Sequence, residues 1–139
     1  MANGLYAQAK QSFLANELKW ITGTAQTFKV ALIDTADYAV NLSTHQFLSD
    51  VGGAAIVGTP TAIGTPSAAL GVADGNDVTL SAVSGDVSEA LIIFQDTGVT
   101  GTSRLVAYID TVASGLPVTP NGGDITITWD NGANKIFSL

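Results

Sequence analysis

Apolar and polar positions alternate most clearly near the end of the chain. Ile125, Ile127 and Trp129 fall on one face and Thr126 and Thr128 on the other, the two-residue period of a strand packed on one side. Asn131-Gly132 follows, a dipeptide that tolerates the two positive φ angles of a type I′ turn. The pattern therefore predicts a reversal in two residues, a return strand over 134–138, and a C-terminal hairpin whose Trp129 and Ile127 face the core. Asn131 and Gly132 are its structural turn residues. Val78 and Leu80 alternate with Thr79 and Ser81 in a second strand, 77–83. In 28–34, Phe28, Val30 and Leu32 form one apolar face while Ala31 and Ile33 make the other apolar too, which fits a strand buried on both sides. Within 88–95 the run Ala90 to Phe94 is apolar throughout and reads as a central strand. Residues 104–110 form its antiparallel neighbour across a loop holding Gly98 and Gly101. The stretch 52–72 is rich in Gly, Ala, Thr and Pro. Pro60 and Pro66 cannot donate to a ladder, so strands there belong at an edge, and an uncovered edge of low charge invites another chain.

The opening has a different period. Behind Asn3, a good N-cap, Tyr6, Ala9, Lys10, Phe13, Leu14 and Leu18 recur at spacings of three and four, which predicts one amphipathic helix over about 5–17. Trp20 and Ile21 extend the apolar character until Thr22-Gly23-Thr24 breaks it. Such a helix either lies on the β core or serves as an arm that docks on a neighbour. In the second case Tyr6, Phe13, Leu14, Leu18 and Trp20 are the partner interface. A short helical turn within 44–51, capped by Ser43 or Thr44, is also expected. With seven to nine short strands at intervals of about ten residues, the spacing describes an antiparallel sandwich or barrel, and the expected fold class is all-β with one N-terminal helix, an antiparallel β-sandwich ending in the C-terminal hairpin, in a single domain, 1–139.

Composition narrows the function more than the fold. Only 12% of residues are charged while 46% are hydrophobic, a charged fraction roughly half the usual one. Much of the surface is therefore Thr, Ser, Gly and Ala, or is covered by other protein. The formal charge is −7, and Lys10, Lys19, Lys29, Arg104 and Lys135 are scattered. Without a basic stripe, nucleic acid is not an expected partner. Ala90 to Phe94, the longest fully apolar run, is far too short to span a bilayer, so no membrane is expected either. Met1-Ala2-Asn3-Gly4 has neither a basic n-region nor an apolar h-region, so synthesis in a cytoplasm is expected.

Candidate chemistry is sparse. His45 is the single histidine, no Gly-x-Ser-x-Gly elbow accompanies it, and there is no cysteine, so His45 reads as structural. The carboxylates sit in turns on different connections rather than as a convergent acid and base. Asp74-Gly75-Asn76-Asp77 is as rich in oxygen as a calcium loop, yet Gly85 stands eleven residues after Asp74, where that loop needs a bidentate glutamate. It reads as a turn. Gly52-Gly53 and Gly122-Gly123 lack the lysine and helix of a phosphate cradle. No catalytic residue, cofactor or metal site is expected.

Several segments together resemble a family of small virion proteins of tailed bacteriophages. They are Met1-Ala2-Asn3-Gly4-Leu5-Tyr6, Lys29-Val30-Ala31-Leu32-Ile33-Asp34-Thr35, Thr44-His45-Gln46-Phe47-Leu48-Ser49-Asp50, and Gly115 to Asp124 running into Trp129-Asp130-Asn131-Gly132. The resemblance implies a structural protein of the phage head, similar to the jelly-roll cement or decoration proteins. It further implies the major capsid protein as partner, and a homo-oligomer, dimer or trimer, made in the host cytoplasm and located on the capsid exterior of the virion. The alternatives are a tail, neck or fibre-associated structural protein and, at greater distance, a carbohydrate-binding module.

Overall fold

The structure, a computed structural model, describes residues 4–21, 26–110, 116–130, 132 and 135–139. In chain order the elements are β1 (Gly4–Leu5), α1 (Ala7–Leu14), β2 (Thr27–Ile33), β3 (Ile56–Ala62), β4 (Ser67–Ala69), β5 (Val72–Asp74), β6 (Val78–Leu80), β7 (Ala90–Asp96), β8 (Leu105–Ile109), β9 (Ile125–Ile127) and β10 (Phe137–Ser138). The fold is mostly antiparallel β with one N-terminal helix, in a sandwich-like arrangement, as the periodicity predicts.

The strand expected to be central is central. β7 pairs with β2 along its whole length, Val30 opposite Ile93 and Leu32 opposite Leu91, and with β8 on its other side. Residues 30–33, the first five residues of β7 and all of β8 are buried, so this sheet is covered on both faces, which is why its strands are apolar rather than alternating. The full order is β1-β8-β7-β2-β3. β3 is therefore an edge strand, and Pro60 sits in it without breaking an inner ladder. The register between β2 and β3 shifts between Val30 and Leu32, and Gly58 at φ +74 absorbs the bulge. Pro66 immediately precedes β4, the edge of a sheet ordered β10-β5-β4, while β6 and β9 form a third, two-stranded sheet. The described strands thus group by hydrogen bonding as five, three and two.

The C-terminal hairpin is not formed. β9 pairs with β6, Ile127 opposite Val78, and β10 pairs with β5, Phe137 opposite Ala73. The end of the chain thus pairs antiparallel with residues 72–80 in two separate stretches. Asn131 lies outside the described residues. Gly132 is not in the left-handed region, and its N–H donates to Asp130 Oδ1 at 2.9 Å. Trp129 and Ile127 do face the core, both being buried.

α1 is shorter than its period suggests. Tyr6 rather than Asn3 is its N-cap, with no side-chain cap; Asn3 lies outside the described residues. At the other end Asn16 takes φ 64 and Glu17 N–H donates to Ser12 O at 2.8 Å, a left-handed stop that asparagine adopts readily. The turn expected within 44–51 is a 3-10 turn, Leu48–Asp50. Its cap comes from the far end, because Asp50 Oδ2 accepts the N–H groups of Gln46 and Phe47.

Candidate functional site

Of the five residues expected to form a partner interface, three belong to the core. Tyr6, Leu18 and Trp20 are buried. The Trp20 ring packs 4.7 Å from Phe28 and 5.0 Å from Phe137, and its indole N–H donates to the carbonyls of Ser67 and Asp74. Tyr6 is the N-cap of α1 and Leu18 and Trp20 lie beyond its end, so these side chains are apolar as expected but are not on the helix, and the same chain buries them. Phe13 is half-buried with its ring 6.1 Å from Phe137. Leu14 is 87% exposed. The helix is therefore part of the fold, and its last turn, ending at Leu14, presents the one large apolar side chain of α1 that is exposed.

That last turn borders a groove of about 700 Å³ between α1, β1, β8 and β10. Leu5, Phe13, Leu14, Ile109, Phe137 and Leu139 line it, and Lys10 is the one charged side chain among the described lining residues. The helix and β10 meet at one wall of the groove, where the Phe13 and Phe137 rings pack together, and the buried strand β8 contributes Ala107 and Ile109. Leu139 is 67% exposed at its rim.

Beside the rim is a feature that sequence reasoning missed. β4 and β5 are joined by Leu70-Gly71 alone, with Ala69 opposite Val72, and both linking residues have positive φ, 52 and 81. This is the two-residue, doubly left-handed turn expected elsewhere in the chain. Leu70 at its tip is fully exposed. Leu139 N–H donates to Gly71 O at 3.0 Å, which ties the hairpin tip to the groove rim. Nothing in the composition of residues 52–72 marks the turn, because leucine is an unusual choice at that position.

The polar candidates are structural. The Tyr6 hydroxyl lies 2.9 Å from that of Tyr38, which lies 2.8 Å from His45 Nδ1. Burial pushes the Tyr6 and Tyr38 hydroxyls above the ordinary tyrosine range, so both stay protonated in this chain of hydrogen bonds. Asp74-Gly75-Asn76-Asp77 is a turn that anchors both indoles: Asn76 O accepts the Trp129 indole N–H at 2.9 Å, and Asp77 Oδ1 accepts the Trp129 backbone N–H at 3.0 Å. Arg104 pairs with Glu17, donates to Ser12 Oγ and lies over the Phe47 ring, which fixes the helix end to β8. Carboxylate oxygens of Asp34, Asp37 and Asp86 lie within 4.8 Å of one another, and Asp34 Oδ1 accepts the Ala36 N–H. Two of these three side chains are exposed, and nothing beyond the acidic cluster itself points to a ligand.

The exposed apolar surface among the described residues runs from Leu14 across the groove to Leu139, with Leu70 beside it. It can bury area against another protein; it brings together no nucleophile and base. No protein-family model matches the chain, and no curated protein matches it.

Proposed function

We propose that this chain is a structural virion protein that acts by burying its apolar surface against other protein chains, as a cement or decoration protein on the shell of a tailed phage. The major capsid protein is the partner and the capsid exterior the location. The observation that carries the reading is the pair of exposed leucines, Leu14 and Leu139, lining an open apolar groove with exposed Leu70 on the adjoining hairpin tip, which exposes large side chains where a monomer gains nothing from them. The family resemblance of the sequence supplies the kind of partner. Each copy need bind only weakly, since a protein touching two or more shell subunits gains effective concentration after its first contact.

The experiment is decoration of purified shells by added protein, with copy number read against the major capsid protein on a stained gel. The cement reading expects a stoichiometry near that of the shell subunits, and weaker decoration by Leu14→Asp, whose exposed position leaves the fold intact. A protein present in only a few copies per particle belongs to the tail, neck or fibre instead. Wild-type protein that leaves shells bare overturns the reading.

A further inference from the structure

We propose that the Leu70-Gly71 hairpin tip is a docking element for a second copy of this chain, each tip entering the groove of the other copy across a two-fold axis. Two costs meet at Leu70. Its side chain is entirely in water, although leucine gains from leaving water. Its backbone is held at φ 52, where a bulky side chain is disfavoured and asparagine or glycine is not. A chain that needed only the turn would be better served by Asn-Gly. Neither cost is offset within the described chain, and an outlier of this kind is a reason to look for a contact.

The receiving cavity is on the same molecule. The groove beneath Leu14 and Phe137 holds about 700 Å³, ample for a leucine side chain and the turn that carries it. Leu139 adjoins both features, its N–H bonded to Gly71 O and its side chain lining the groove. Knob and hole therefore lie side by side, as an isologous contact requires, in which residue i meets j while j meets i. The electrostatics agree. Residues 56–72 contain no charged side chain, so the tip approaches without the charge that makes each copy −7 overall. Lys10 at the groove is opposite in sign to the incoming chain. Area decides between one insertion and two. A single tip in a single groove buries a small part of the roughly 1,200 Å² that a stable pair needs. Reciprocal exchange fills both grooves and covers Leu14 of both copies. A single head-to-tail insertion would instead leave one tip and one groove open and propagate into rings or filaments.

The full-length protein, free of shells, should sediment as a concentration-dependent dimer. Tip exchange and shell contact use the same surface and exclude one another, so a copy that docks on a shell gives up its partner's tip; because the dimer is read on protein free of shells, failure of this proposal is seen apart from failure of the decoration reading. Leu70→Asn keeps the turn, relieves its backbone and removes the knob. It should raise the dimer dissociation constant about tenfold or more without lowering Tm. Because the natural chain has no cysteine, a mixture of Leu70→Cys and Leu14→Cys proteins reports the geometry directly, by a disulfide between copies under mild oxidation. Wild type that stays monomeric from micromolar to near-millimolar concentration overturns the proposal. So does a Leu70→Asn protein that dimerises as tightly as wild type, a dimer without the 70–14 cross-link, or a Leu70-dependent species larger than a dimer.

Discussion

At the scale of single residues, stability is concentrated where a large ring also carries a directed hydrogen bond. Trp129 fills the core with its ring while its indole N–H satisfies Asn76 O and its backbone N–H satisfies Asp77 Oδ1. Trp129→Phe keeps most of the ring and should cost about 1 kcal/mol for the orphaned carbonyl. Trp129→Ala should cost about 3 to 5 kcal/mol. Urea unfolding of the two variants separates packing from hydrogen bonding, and equal losses would mean that the ring does not matter. The acid limb of stability is also set by named residues. The N–H groups of Gln46 and Phe47 hold the Asp50 carboxyl below the ordinary aspartate range, and the hydrogen bond from Lys29 followed by the Gly98 N–H does the same for Asp96. A carboxyl depressed in the folded state is stabilising above its unfolded pKa, and that stabilisation is lost as pH falls through the folded value. Tm should therefore decline from about pH 4 downward. Asp50→Ala should begin from a lower Tm at neutral pH and lose less of it on acidification, as a thermal melt series would show.

At the scale of elements, what was legible in the sequence is what each element carries in its own residues. The apolar run in β7, the two apolar faces of β2 and the apolar strand β8 imply a sheet covered on both sides, and the structure has it. Pro60 placed β3 at an edge for a local reason too. The C-terminal hairpin failed because Asn131-Gly132 is a local signal and pairing is not. Three-residue β9 finds β6, where the Thr79 and Thr126 hydroxyls meet at 3.2 Å on the outer face, and β10 finds β5. The groove was illegible for the same reason, since it needs α1, β8 and β10, which are far apart in sequence. These assignments invert the expected importance of two glycines. Gly58 sits at φ +74 with Val83 Cγ1 only 3.1 Å from where a Cβ would lie, so Gly58→Ala should cost about 1 to 2 kcal/mol through the backbone alone. Gly132→Ala should cost less than Gly58→Ala, because Gly132 is not left-handed and the nearest atoms are those of the Asp130 carboxylate. Chemical denaturation of the pair would restore the type I′ hairpin if the order were reversed.

At the scale of the whole molecule, the decisive quantity is how little charge lies near the surface that has something to bury. The chain carries −7 in total, yet the groove contributes one lysine and the hairpin tip none. On the proposed readings, like-charged copies brought together repel through their remaining surfaces, and that repulsion is what salt screens, over about 8 Å at physiological ionic strength. The proposed attraction is burial of Leu14, Leu70 and Leu139, which salt does not weaken. Raising sodium chloride from low to physiological concentration should therefore leave association between copies, and decoration of shells, unchanged or tighter. Sulfate should tighten both further, being excluded from apolar surface. Lys10→Glu turns the groove's single cation into an anion. It should make self-association weaker at low salt and restore much of it at high salt, with the Tm of the fold little altered because residue 10 is exposed. The measurement is a dissociation constant against salt for wild type and Lys10→Glu. A wild-type affinity that falls steeply with salt would show that ion pairs rather than the apolar rim hold the contact, and the interface would then have to be sought among the acidic loops.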